Sequence, residues 1–135
     1  MTAVLVDSNV LIDVLSEDPR WVGWSTEALT AATNRFRLVI NPIVFAEVSV
    51  RYSSMEDVDT ILPPDLYGRE SVPYEAAFLA GKCHLEYRKR GGSRLSPLPD
   101  FFIGAHAAVA GYQLLTRDAA RYRTYFPKLS LIAPD

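Results

Sequence analysis

Ala3-Val4-Leu5-Val6-Asp7-Ser8-Asn9-Val10-Leu11-Ile12 is the stretch on which the fold turns. Its first four residues form a continuous apolar run, the pattern of a short strand covered on both faces. Asp7 ends the run, and residues 9–15 read as a helix with Ser8 or Asn9 as its cap. A buried strand passing directly into a helix is how a parallel α/β sheet begins. It also leaves a carboxylate at the end of a buried strand, which is costly unless something cationic meets it.

The same alternation continues along the chain. Residues 19–34 are expected to form a helix carrying Trp21, Trp24 and Leu29, followed by a strand at 38–40. Asn41-Pro42 opens a helix to about Arg51, with proline well placed in the first turn. A short helix at 54–62 is stopped by Pro63-Pro64, and 67–72 reads as a third strand. Pro73 begins a long helix to about Arg90, ended by Gly91-Gly92. The remainder reads as helix 100–111, strand 113–115, helix 118–125 and an edge strand at 129–132. Right-handed crossovers then give an α/β fold, a three-layer α/β/α sandwich with a mostly parallel sheet of about five strands. A length of 135 residues predicts one domain spanning 1–135.

Hydrophobic residues make up 49% and charged residues 22%, ordinary for a soluble globular protein. The net charge of −2 argues against a nucleic-acid coat protein. It leaves room for an enzyme acting on nucleic acid, because a divalent cation supplies local positive charge. The single cysteine, Cys83, excludes an intramolecular disulfide and a cysteine-based zinc site. With no targeting segment and no apolar run of transmembrane length, a cytoplasmic location without membrane contact is expected.

Four acidic residues stand in awkward contexts. Asp7 and Asp118 follow strands, while Glu47 and Asp100 fall early in helices rich in apolar residues. Ligands of open parallel sheets bind outside the carboxyl ends of the strands, so all four can converge there. A few carboxylates plus water suit magnesium. Capping accounts equally well for Asp100 or Asp118 taken singly, and Asp7 is also placed to cap the helix it precedes. Glu47, sharing a helix face with Ile43 and Val50, is harder to explain that way. His84 reads as a surface or half-buried residue of a long helix, His106 as packing at an interface or in the core, and Cys83 as helix packing.

These segments carry a resemblance. The opening stretch is similar to the first strand and helix of PIN-domain nucleases. Asn41-Pro42-Ile43-Val44-Phe45-Ala46-Glu47 resembles their second acidic motif, and Leu98-Pro99-Asp100-Phe101-Phe102-Ile103-Gly104-Ala105-His106-Ala107 the third. Leu115-Thr116-Arg117-Asp118 followed by Tyr125-Phe126-Pro127 resembles the fourth. At this length the chain looks like the VapC toxins of toxin–antitoxin pairs. The resemblance implies an endoribonuclease dependent on Mg2+ or Mn2+, with Asp7, Glu47, Asp100 and Asp118 as the acidic quartet and Ser8, Asn9 and Thr116 in support. It also implies an RNA substrate, neutralisation by a small cognate antitoxin, and assembly as a homodimer and toxin–antitoxin hetero-oligomer.

Arg88, Lys89, Arg90, Arg94 and Arg117 are candidate RNA contacts, and Arg121 and Arg123 are placed to extend the track. For the run at 88–94 a solvated helix end, favoured by the macrodipole, is an equal account. A PIN nuclease of RNA processing without toxin function shares every motif. A phospho-receiver domain wants adjacent acidic residues after strand one, and Asp7-Ser8-Asn9 departs from that. A haloacid-type phosphatase needs Asp-x-Asp, where this chain has Asn9.

Overall fold

The computed structural model describes residues 2–93 and 97–134. Its elements run β1 (Ala3–Val6), α1 (Ser8–Leu15), α2 (Val22–Arg35), β2 (Arg37–Ile40), α3 (Pro42–Ser49), α4 (Met55–Ile61), β3 (Tyr67–Arg69), α5 (Tyr74–Lys89), α6 (Leu98–Ala110), β4 (Gln113–Leu115), α7 (Ala120–Tyr125) and β5 (Leu131–Ile132). The strands form one sheet in the order β3-β2-β1-β4-β5, and every pairing is parallel. The expected α/β sandwich is therefore observed.

β1 lies at the centre because its residues have no water-facing side: Val4, Leu5 and Val6 are fully buried. From β1 the chain steps one way to β2 and β3, then returns across the sheet to β4 and β5 on the other flank. Right-handed crossovers put α1–α4 on one face and α5–α7 on the other. Packing of α1 on α2 and α3, and of α5 on α6, agrees with that division. The order reverses between β1 and β4, which makes the carboxyl edge of that strand pair the natural ligand crevice.

Differences from the expected boundaries have local causes. The helix expected from residue 19 starts at Val22, because the Asp18 carboxylate accepts the backbone N–H of Arg20 and of Trp21, both at 2.9 Å, and holds a turn there. β5 starts at Leu131 rather than 129, since Leu129 N–H is tied back to the Phe126 carbonyl at 3.0 Å. Gly111 closes α6 with φ of 74°, and Tyr112 N–H reaches back to the Ala107 carbonyl at 2.9 Å.

Gly104 decides how closely α6 approaches α7. A Cβ there would lie 2.5 Å from Phe126 Cε2 and 3.0 Å from Tyr122 Cδ1, two rings in the core. In a free helix Gly→Ala stabilises by up to ~1 kcal/mol. Here the expected sign is opposite: Gly104→Ala should cost about 1–3 kcal/mol through overpacking, read as a melting temperature several degrees below wild type. An unchanged or higher value would show that the rings have room to give.

Candidate active site

The register of β1 against β4 builds the pocket floor. Val6 pairs with Leu115, and Asp7 N–H donates to the Leu115 carbonyl at 2.9 Å, so Asp7 and Thr116 emerge side by side. Asp7 is 2% exposed. Its Oδ2 accepts hydrogen bonds from Tyr122 Oη at 2.8 Å, Thr116 Oγ1 at 2.9 Å and Asn9 Nδ2 at 3.3 Å. Thr116 Oγ1 in turn accepts from Asn9 Nδ2 and from Asp118 N–H, each at 3.2 Å. Asn9 Oδ1 accepts Arg117 N–H at 3.3 Å. Asn9 and Thr116 thus orient Asp7 and fasten the turn after β4 in one network.

Glu47 reaches the pocket from α3, whose N-cap is Asn41, its side chain accepting Val44 N–H at 3.0 Å. Ser8 Oγ donates to Glu47 Oε1 at 2.8 Å and stands 3.5 Å from Asp7 Oδ1. One hydroxyl therefore sits between two carboxylates. Asp100 lies in the first turn of α6, and its Oδ2 accepts from Arg121 Nη1 at 2.6 Å. Asp118 is exposed at the rim, close enough to Asp100 for the two charges to interact.

Capping explains none of these carboxylates. Asp7 occupies the N-cap position of α1 without making a side-chain cap bond. The N-caps of α6 and α7 are Pro97 and Ala119. What Asp7, Glu47 and Asp100 share is a penalty on ionisation. Burial lifts Asp7 from 3.8 to about 6; the charges of Asp100 and Glu47 add to the rise, while Tyr122 and Thr116 oppose it. Burial also raises Glu47, with Asp100 adding and Ser8 opposing. Asp100 is raised by burial and by Asp118, against the pull of Arg121.

Among the described residues no three His, Cys, Asp or Glu side chains stand ready to hold an ion as placed. Ser8 bonds one oxygen of Glu47, and Arg121 one oxygen of Asp100. The donor set itself, hard carboxylate oxygens beside the hydroxyls of Ser8, Thr116 and Tyr122, fits Mg2+ or Mn2+ and not a soft metal.

Other candidate residues are distributed more widely. Arg88, Lys89 and Arg90 are exposed at the end of α5, with Arg90 Nε on Glu86 Oε1 at 3.1 Å and its guanidinium over the Tyr125 ring. Arg94 lies outside the described residues. The Arg117 side chain turns away from the expected RNA track: Nε bonds buried Asp13 at 2.7 Å and the guanidinium covers Trp21. Asp13, also bonded by Ser25 at 2.8 Å, makes this a structural tie between α1, α2 and the turn after β4. His106 is 1% exposed and bonded to Asn41 at 3.1 Å, a core position.

Two participants were not singled out as pocket residues from sequence. Tyr122 looks like an ordinary core aromatic until its hydroxyl is found under Asp7, and Arg121 looks like part of a basic surface until it is found on Asp100. Their spacing to β1 and α6 has no local signature; only their adjacency to Thr116-Arg117-Asp118 points to the pocket.

Solved structures share this architecture. A chain in the structure of VapBC2 from Rickettsia felis bound to a DNA fragment from their promoter superimposes with a TM-score of 0.73 and 17% identity, covering 99% of this chain and 100% of that one. A chain of a toxin–antitoxin complex from Klebsiella pneumoniae gives 0.69 and 21%, covering 98% of each. A chain of DNA-bound VapBC from Salmonella typhimurium gives 0.69 and 19%, again covering 98% of each. Comparison with curated protein sequences returns no match. The PIN domain family matches continuously over residues 4–127, from β1 past the end of α7. With that span and this fold, the chain belongs to the PIN-domain family.

Proposed function

We propose that the chain is a metal-dependent endoribonuclease, one domain spanning 1–135, that acts in the cytoplasm as the toxin of a toxin–antitoxin pair. The observation that carries the reading is Asp7: a carboxylate 2% exposed, its pKa raised to about 6, facing other carboxylates raised in the same direction. Such an arrangement costs stability and gains a purpose when a cation joins it.

Asp7, Glu47, Asp100 and Asp118 would hold the ion, Mg2+ or Mn2+. When bound, a divalent cation lowers the pKa of coordinated water and offsets charge on the phosphoryl oxygens. The chain's own part is positioning. Tyr122, Thr116 and Asn9 fix one oxygen of Asp7, and Ser8 aims Glu47 at the same space. His106, sealed in the core against Asn41, offers no general base to the pocket.

Support for the partners comes from the company the fold keeps: the similar solved chains sit in VapBC and toxin–antitoxin assemblies. Exposed Tyr74, Phe78 and Leu85 on α5 are apolar surface suited to a twofold homodimer. Among the described residues no helix is long and apolar enough to cross a membrane.

Purified protein should cut single-stranded or structured RNA with Mg2+ or Mn2+ and stop on addition of chelator. Expression should arrest growth, and co-expression of a small antitoxin from an adjacent gene should relieve it. RNA cleavage at full rate in chelator would sink the metal-dependent reading. Cleavage without growth arrest would leave a PIN nuclease that is not a toxin.

A further inference from the structure

We propose that Arg121 is a built-in stand-in for the divalent cation at Asp100, released to hold an RNA phosphate when the cation arrives. The inference rests on the nuclease reading above. Consecutive residues of α7 reach two different carboxylates: Tyr122 donates to Asp7 at 2.8 Å and Arg121 Nη1 to Asp100 at 2.6 Å. Tyr122 is 2% exposed and anchors the helix, so Arg121 has a fixed base and a free end. Among the described residues Arg121 is the cation in ion-pair contact with one of the four acidic residues. Arg117 and Arg90 are taken by Asp13 and Glu86.

The contact has the properties of a placeholder. The paired side chains are 38% and 34% exposed, and ion pairs so open to water contribute little. Among the described residues only Nη1 is engaged, on a single carboxylate oxygen, so the guanidinium fork is half used. A phosphate takes such a fork bidentately. A divalent ion and a guanidinium on the same carboxylate repel each other, so loading of the ion frees Arg121 beside the place where a phosphodiester must sit. Linkage then runs both ways: RNA that captures Arg121 tightens ion binding by the factor with which the ion tightens RNA.

The test titrates Mn2+ calorimetrically into wild type, Arg121→Gln and Arg121→Lys, with and without a 2′-O-methylated oligoribonucleotide checked to remain uncut. Fluorescence anisotropy follows binding of the oligonucleotide, and melting curves in chelator verify that each variant is folded. Arg121→Gln should bind Mn2+ alone about three- to tenfold more tightly, as the competitor is gone. With Mn2+ present it should bind the oligonucleotide about tenfold more weakly, with a salt slope shallower by ~0.7, and the oligonucleotide should no longer tighten Mn2+. Arg121→Lys, which keeps the charge without the fork, should fall between. Equal or weaker Mn2+ binding by Arg121→Gln overturns the inference, as does unchanged oligonucleotide affinity and slope. Absence of Mn2+ binding by the wild-type chain removes the nuclease reading and this inference with it, whereas equal binding by the two forms removes this inference alone.

Discussion

Asp7→Asn is expected to lower RNA cleavage by about a thousandfold or more, equivalent to ~4 kcal/mol of lost transition-state stabilisation, without loss of fold. The substitution is isosteric, and the three donors on Oδ2 still find an oxygen if the amide carbonyl takes that place. What disappears is the buried negative charge at the junction of β1 and β4. Single-turnover cleavage in Mn2+, alongside far-ultraviolet circular dichroism, reads both quantities. Wild-type rate in a folded Asp7→Asn chain would end the assignment of Asp7 as a ligand. Asp100→Asn should be comparably damaging. Asp118→Asn should be milder, because that side chain is exposed at the rim and enters the pocket's electrostatics through Asp100.

The same substitution should stabilise the metal-free chain at neutral pH. Asp7 titrates at 3.8 when unfolded and at about 6 when folded, with burial the largest cause and repulsion by Asp100 and Glu47 contributing. Between those values the native state binds the extra proton, so this residue's contribution to stability is greatest below 3.8 and is lost as pH rises through about 6. The loss is on the order of 3 kcal/mol. In chelator at pH 7.5, Asp7→Asn should therefore melt above wild type by about 10 °C, and the gap should largely close by pH 4. Adding Mn2+ should stabilise wild type in proportion to ion saturation and reverse the order. An Asn variant that melts below wild type in chelator at pH 7.5 would show that hydrogen bonds to the ionised carboxylate outweigh its burial.

The fold and the acidic residues were legible for different reasons. β1, α3 and α6 announce themselves through local chemistry: an apolar run, an Asn-Pro start, an apolar helix closed by Gly111. Asp7 and Glu47 stand out because a charge in such company is expensive, and the expense is readable without coordinates. The roles of Tyr122 and Arg121 were not readable, since they arise from contacts 115 and 21 residues apart that no local period encodes. The tie of Arg117 to Asp13 was unreadable for a related reason. Its partner Asp13 sits 104 residues away on α1, where one acidic residue in a helix looks like surface.

The placement of α7 has a consequence for synthesis of the protein. β1 is made before the other four strands of the sheet, yet one of its flanking strands and two donors to the Asp7 carboxylate come from residues 113–122. A nascent chain that has released only its first hundred residues carries Asp7, Glu47 and Asp100 without Asp118 and without the tyrosine and threonine that seat Asp7. Its pocket is finished only when the segment from β4 to α7 leaves the ribosome and docks. Completion of the pocket is thereby deferred until residues 113–122 have been made, and the proposed nuclease activity with it.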